Sequence, residues 1–326
     1  MNHALLKILS DGQFHSGEEL GAALGISRAA IWKQLQKLET LNIPLHSVKG
    51  RGYRLPDAVE LLSKDTLKDA GFPFLDFASV DLELSIDSTN SAMMQKAEGN
   101  VYNRHICFAE MQTSGRGRRG RQWLSPFARN LYFSVLWPFS KGIAAIQGLS
   151  LAVGLAIQNV VKHHGIEAAG LKWPNDILVN HKGQFAKLGG ILIEITGDVN
   201  DNCQVVIGVG LNLDLQSHDQ AQLDQSAVGL CQLGFKGSRN QLAADIVKEL
   251  VSVLKAFNEK GFSPLQNSWN DADCFYGQPL KVLLPSSDIE GIGRGVNAKG
   301  EYQLETDRGI QVVNAGEVSL RLKQGA

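Results

Sequence analysis

Cysteine is scarce in this sequence. Cys107, Cys203, Cys231 and Cys274 are its four, far apart, with no C-x-x-C pair and no histidine at zinc-ligand spacing. Neither a disulfide framework nor a zinc ribbon can be built from them, so a reduced, cytosolic (cytoplasmic) protein is expected. Long apolar runs are missing as well. Residues 4–9 are interrupted by Lys7 and are too short for a signal-peptide core; residues 149–161 contain Gln158 and Asn159 and fall short of the roughly 20 residues a membrane span needs. The expectation is a chain without export signal, membrane anchor or membrane partner. Excess charge of either sign is also absent, with 32 Lys plus Arg against 33 Asp plus Glu. Any basic surface must therefore be local.

At 326 residues the chain is long enough for two or three domains. In the first, Leu5, Ile8 and Leu9 mark one helical face, and Ser16-Gly17-Glu18-Glu19 is a capping box ahead of a short helix carrying Leu20 and Leu24. Gly25 breaks the chain, and Ser27 can cap a third helix with Ile31, Leu35 and Leu38 on one stripe and Arg28, Lys33, Gln36 and Lys37 largely elsewhere. Two helices around a glycine turn suggest helix-turn-helix. Residues 45–55 follow as two strand-like pieces around Gly50-Arg51-Gly52, with Lys49 beside the tip, which is the pattern of a DNA-binding wing. Trp32 on the third helix is a bulky choice for a surface that meets DNA. A small helical packing module is the competing reading; the basic wing favours DNA.

Residues 65–275 mix strands and helices. Segments 104–110, 130–137, 188–195 and 204–213 read as strands, 147–163 as a buried helix and 239–260 as a long amphipathic helix, an α+β domain on a largely antiparallel sheet. From about 276 the tail alternates short apolar pieces (280–284, 291–296, 302–305, 310–313) with turn residues, as a small β-barrel does.

The densest chemistry is Gly115-Arg116-Gly117-Arg118-Arg119-Gly120-Arg121, followed by Gln122-Trp123-Leu124-Ser125-Pro126. Glycine loses most entropy on ordering, and each guanidinium offers a planar fork of donors, so the run reads as a loop that orders around phosphate or carboxylate. Its spacing fits G-x-G-x-x-G, but Pro126 and the strand at 130–137 leave no helix for a dinucleotide fold. Arg121-Gln122 stands where a P-loop needs Lys followed by Ser or Thr. An arginine-rich nucleic-acid loop is a further reading. Against it stand Lys172-Trp173-Pro174-Asn175-Asp176 and Lys187-Leu188-Gly189-Gly190-Ile191-Leu192-Ile193-Glu194, which add lysines, an amide and carboxylates on short rigid pieces. Alone, Trp173-Pro174 is a packed turn and Gly189-Gly190 a close backbone approach; together they look like a site.

These strings, with Asp87-Ser88-Thr89-Asn90, Gln112-Thr113-Ser114, Asn130-Leu131-Tyr132 and Gly208-Val209-Gly210-Leu211-Asn212, give nearly the whole chain a resemblance to the biotin protein ligases, and the N-terminus resembles that of the bifunctional ligase-repressors of bacteria. The resemblance implies an α+β multidomain protein: winged helix-turn-helix over 1–62, a biotin/ATP-binding catalytic domain related to class II aminoacyl-tRNA synthetases over 63–275, and an SH3-like domain over 276–326. It implies that biotin reacts with ATP and Mg2+ to give biotinyl-5′-AMP and then biotinylates a lysine of the biotin carboxyl carrier protein. Lys187 and Arg118 would be catalytic, and Ser88, Thr89, Asn90, Gln112, Arg116, Gly117, Arg118 and Lys187 would hold biotin. Arg119, Arg121, Trp123, Asn175, Asp176 and Asn212, the last on a Gly-x-Gly turn, would serve the nucleotide, and no dedicated metal site is expected. Ser27, Arg28, Lys33, Lys37, Lys49 and Arg51 would face operator DNA, with the adenylate as corepressor of a homodimer.

Two departures stand out. A few extra residues separate Asp176 from Lys187, which makes Lys182 an alternative to Lys187, chosen here for the Leu-Gly-Gly-Ile-Leu that follows it. Ala128 occupies a position where the family commonly has glycine. A ligand-sensing regulator without ligase activity, and a ligase that has lost DNA binding, are the alternative functions.

Overall fold

The structure, a computed structural model, describes residues 3–99, 102–197, 202–223, 225–283, 288–314 and 319–322. Helices α1 (His3–Leu9), α2 (Gly17–Leu24) and α3 (Arg28–Thr40) precede the hairpin β1 (His46–Val48) and β2 (Gly52–Arg54). The capping box forms in full: Ser16 Oγ accepts from Glu19 N at 3.1 Å, and Ser16 N donates to the Glu19 carboxylate at 2.7 Å. Gly25 ends α2 in the left-handed region, and Ser27 Oγ accepts from Ala30 N at 3.2 Å to start α3. Leu5, Leu6, Leu9, Leu20, Ile31, Leu35, Leu38 and Ile43 form the core beneath, and it continues into Leu84, Met111, Phe127 and Ala128 of the next domain.

The linker is anchored as firmly. The Glu60 carboxylate accepts from the Ser238 hydroxyl and Arg239 N, each at 2.6 Å, and from Asn240 Nδ2 at 2.7 Å. Desolvation opposes its charge, but these hydrogen bonds prevail and hold its pKa below the usual carboxylate value. Arg239, buried, donates to Glu110 at 2.5 Å, to Glu60 O at 2.6 Å and to Asn130 O at 3.0 Å, while Glu110 accepts from Leu62 N at 2.6 Å.

The central domain comprises α4 (Lys64–Asp69), β3 (Ser79–Glu83), α5 (Thr89–Ala97), β4 (His105–Ala109), β5 (Leu131–Phe139), α6 (Leu149–His163), β6 (Ala169–Lys172), β7 (Asp176–His181), β8 (Gln184–Gly197), β9 (Cys203–Leu211), α7 (Ser217–Gln220), α8 (Arg239–Lys260) and α9 (Gln266–Ala272). Its seven strands run β3-β4-β5-β9-β8-β7-β6, parallel at β3–β4 and antiparallel at the other pairs. Period-two alternation divides the faces. On β9, Val205, Ile207, Val209 and Leu211 join the core under α6 and α8, whereas Val206 packs with Met93 and Ala97 of α5 on the opposite face. Gly208 and Gly210 share the α5 face.

The tail forms β10 (Pro279–Leu283), β11 (Ile289–Val296), β12 (Tyr302–Thr306), β13 (Gly309–Val313) and β14 (Ser319–Leu322) in the antiparallel order β13-β12-β11-β10-β14. Leu284, the end of the first expected strand, lies outside the described residues, and β14 is an element the apolar spacing did not reveal. Leu280, Val282, Val296, Tyr302, Leu304 and Leu320 belong to the same core as the central domain. Trp173 Nε1 donates to Gly300 O at 3.0 Å across that junction. The four cysteines are free thiols, and among the described residues no helix is long and apolar enough to cross a membrane.

Candidate functional site

On the α5 face the chain encloses a cavity of about 320 Å³. Every residue expected to hold biotin or nucleotide lines it: Ser88, Thr89, Asn90, Gln112, Arg116, Gly117, Arg118, Arg119, Arg121, Trp123, Asn175, Asp176, Lys187 and Asn212. Lys182 instead lies at the β7–β8 hairpin turn with φ 53°, away from the cavity lining.

Lys187 reaches the cavity through an irregularity. Leu178 pairs with Lys187 and Ile177 with Gly189, so Leu188 is an extra residue in β8. Leu188 enters the core, and both Lys187 and Gly190 face the site; a Cβ on Gly190 would lie 3.3 Å from Lys187 Nζ. A bulge of this kind re-aims a side chain without ending the strand. Its backbone groups are satisfied by the segment after β9: Lys187 N donates to Ser226 O (2.8 Å) and Val228 N to Lys187 O (3.0 Å).

Around the lysine the charges are paired tightly. Lys187 Nζ sits 2.7 Å from Asp176 Oδ1 and 5.3 Å from the centre of the Trp123 ring. Asn175 accepts from Arg118 Nη1 at 3.0 Å and donates Nδ2 to Ile191 O at 2.9 Å, fixing the clamp arginine to the β8 backbone. The arginine run makes a single tight turn over Arg118–Gly120, with Arg119 at φ 59°, and no helix opens from it. Gly117 N donates to Arg121 O and Trp123 N to Gly115 O, closing the loop on itself.

The neutral part of the lining starts at the N-terminus of α5, where Ser88 is the cap residue. Gln112 Oε1 accepts from Thr89 N (2.9 Å) and Thr89 Oγ1 (3.1 Å), and Gln112 Nε2 donates to Ser125 Oγ (3.1 Å). The Gly-x-Gly pair is not a turn, as the sequence suggested, but mid-strand on β9, with Asn212 just past its end. A Cβ on Gly208 would fall 2.0 Å from Asn90 Oδ1, and one on Gly210 would fall 2.4 Å from the Trp123 indole. Glycine is required there because two other side chains lie flat on the strand, a constraint that a single sequence does not display.

Sequence reasoning gave no role to Lys172 and missed Arg321 of β14 altogether; both line the cavity. Arg321 lies in a tail with no nearby motif. Lys172 is depressed by burial, and Arg321, Lys187 and Arg121 add to that while Asp176 opposes it. Burial likewise lowers Arg118, with Asp176 opposing. Among the described lining residues Asp176 is the one carboxylate, against Arg118, Arg119, Arg121, Lys172, Lys187 and Arg321, with the Arg116 guanidinium paired to Glu194 just outside the lining. A polyanion answers that surplus; a protein side chain does not.

The expected DNA-facing residues Ser27, Arg28, Lys33, Lys37, Lys49 and Arg51 are all exposed. Ser27 spends its hydroxyl on the helix cap, and the Arg51 guanidinium stacks 4.3 Å over the Phe14 ring. Trp32 is 51 % exposed and so sits on the outer surface of α3.

Residues 84–212 match the biotin/lipoate A/B protein ligase family, residues 2–54 an HTH domain and residues 275–321 the biotin protein ligase C-terminal domain. The chain is 39 % identical over 317 residues to the bifunctional ligase/repressor BirA of Salmonella typhimurium, spanning 97 % of this chain and 96 % of the relative, and equally so to that of Escherichia coli. The biotin--[acetyl-CoA-carboxylase] ligase of Mycobacterium tuberculosis is 31 % identical over 73 % of this chain and 88 % of its own. The biotin protein ligase from Aquifex aeolicus, solved in complex with biotin and ATP, superposes with TM-score 0.63 at 27 % identity, over 76 % of this chain and 100 % of that one. At that identity and coverage, with site motifs and N-terminal module both present, this chain belongs to the biotin protein ligase family, among its bifunctional ligase/repressors.

Proposed function

We propose that this protein activates biotin with ATP, transfers the biotinyl group to a lysine of the biotin carboxyl carrier protein, and represses biotin-operon transcription when loaded with biotinyl-5′-AMP. The observation that carries the reading is the cationic cavity in which Lys187, Asp176 and Arg118 meet under the arginine loop. In the first step a biotin carboxylate oxygen attacks the α-phosphorus of ATP and pyrophosphate leaves. In the second, the acceptor amine attacks the acyl carbon and AMP leaves.

Both steps gather negative charge, so fixed donors aimed at the reacting groups stabilise the transition state most. Lys187 bridges carboxylate and α-phosphate once anionic substrates displace Asp176 from its ammonium. Arg118, held by Asn175, takes the phosphate side; Arg119, Arg121, Lys172 and Arg321 suit the leaving pyrophosphate. Ser88, Thr89 and Gln112 offer neutral hydrogen bonds to the ureido ring, and Trp123, Asn175, Asp176 and Asn212 serve the nucleotide. Magnesium is expected to arrive with ATP.

The reading extends to architecture: residues 1–62 as the winged helix, 63–275 as a catalytic domain of class II synthetase type and 276–326 as an SH3-like module. Ser27, Arg28, Lys33, Lys37, Lys49 and Arg51 face the operator of a homodimer that the adenylate favours, provided it binds the dimer-competent state more tightly.

Pyrophosphate release should require biotin and not accept lipoate, and Lys187→Ala should lower it about 10²- to 10³-fold. Equal background release by wild type and Lys187→Ala would leave a regulator without ligase activity. An operator gel shift indifferent to biotin and ATP would leave a ligase that has lost DNA binding.

A further inference from the structure

Two ends of the arginine loop are tied together through the cavity wall. At one end Ser125 Oγ accepts from Gln112 Nε2, and Gln112 Oε1 accepts from Thr89. Ser134 Oγ, on β5, lies 2.7 Å from Thr89 Oγ1 and 2.5 Å from Asn90 Oδ1. Asn90 Nδ2 then donates to Glu194 Oε2 at 2.7 Å, and the same oxygen receives Arg116 Nη2 at 2.8 Å, back in the loop. Glu194 is absent from the residues that line the cavity.

Taken as a surface ion pair, Arg116–Glu194 would be worth little. The Asn90 contact changes its weight. Asn90 is buried, its Oδ1 engaged by Ser134 and its amide pressed against Gly208, where a Cβ would lie 2.0 Å away. Its Nδ2 has one good acceptor, Glu194; Leu192 O is 3.5 Å off. Without Glu194 a buried donor loses its partner and the Arg116 guanidinium its counter-charge, and buried polar groups are rarely left that way.

We infer that Glu194 is a positioning residue for the biotin site: by holding Asn90 and Arg116 on one carboxylate oxygen, it makes the cavity wall and the loop above it a single body. Arg116 is thereby an anchor of the loop, not a ligand for phosphate. The inference deepens the ligase reading and rests on it for the identity of the ligand. Lys187, which bridges both substrates, and Arg118 keep contacts of their own to Asp176 and Asn175 that do not pass through Glu194, so the larger effect falls on biotin.

Steady-state pyrophosphate release and limited trypsin cleavage together test it, the loop carrying four trypsin sites at Arg116, Arg118, Arg119 and Arg121. Glu194→Ala should raise KM for biotin roughly tenfold or more, the size set by a lost charged hydrogen bond, with KM for ATP changed by less than about threefold. In the ligand-free protein the same variant should be cut within the loop roughly tenfold faster, since cleavage follows the open population. Glu194→Gln, which keeps an acceptor for Asn90 but no charge for Arg116, should recover biotin KM more than loop protection. Arg116→Ala should accelerate cleavage at the remaining sites and add nothing in the Glu194→Ala background. Unchanged biotin KM and cleavage, additive effects of the two alanines, or biotin and ATP KM rising together with a lower melting temperature would each overturn the inference. Failure of wild type to release pyrophosphate would instead strike the ligase reading, and the trypsin arm would still decide whether Glu194 holds the loop.

Discussion

Asp273 shows how much one residue's surroundings decide. It is buried at the junction with the tail domain, and burial pushes its carboxyl up to about 6, although Phe275 N and the Tyr302 hydroxyl donate to it and oppose the shift. Because the folded pKa lies above the ordinary 3.8, the folded protein holds the proton more tightly. The stabilisation is fully present below about pH 4 and is lost as pH rises through 6, a span of about 3 kcal/mol. Asp273→Asn should flatten denaturant-unfolding stability between pH 4 and 7; a variant profile parallel to wild type would exclude this origin. Ala128 is a second case at this scale. Its φ of 55° is the left-handed region, which glycine enters without steric cost and alanine does not. Lys187 could be chosen from its neighbours in sequence, but the bulge that turns it inward was not legible, because a bulge depends on which residue the partner strand presents.

At the scale of elements, caps and periodicity were readable because they are local. Ser16, Gly25 and Ser27 behave as their types dictate, and α8 runs over the residues its amphipathic pattern marks. Strands β3, β6, β7 and β14 were not read, being short and defined by pairing across the sheet. Strand β9 carries its information in what it omits: Gly210 leaves room for the Trp123 indole. Gly210→Ala should displace that ring by overpacking at roughly 1–3 kcal/mol, lowering adenylation about tenfold or more. Gly99→Ala, where a Cβ would meet nothing nearer than 3.4 Å, should leave it unchanged. Comparing pyrophosphate release by the two variants checks this; equal rates would mean the indole has another place to go.

For the molecule as a whole, the buried pair Arg239–Glu110 joins three parts of the chain: the linker at Glu60 and Leu62, the end of β4 and the start of α8. Removing one partner strands the other in a dry site. Arg239→Ala should therefore lower unfolding stability by about 3–5 kcal/mol, and Arg239→Met, which fills the space but still strands Glu110, should not restore it. Chemical denaturation of both variants tests this, and a loss below about 1 kcal/mol would place the pair among surface ion pairs. Arg129 makes a more exposed tie nearby, reaching Asp57 of the linker and Asp214 beyond β9.

By itself the sequence determined the order of modules, the helix ends and the set of residue types gathered for an acyl-nucleotide chemistry, because capping, amphipathic period and motif spacing are properties of short stretches. The tertiary structure alone decided how a bulge turns Lys187 into the cavity, why β9 must carry glycine, that Arg321 joins from a strand near the end of the chain, and that Glu194 holds Arg116. Each of those depends on contacts between residues far apart in the chain, and no local pattern encodes the partner a side chain will meet.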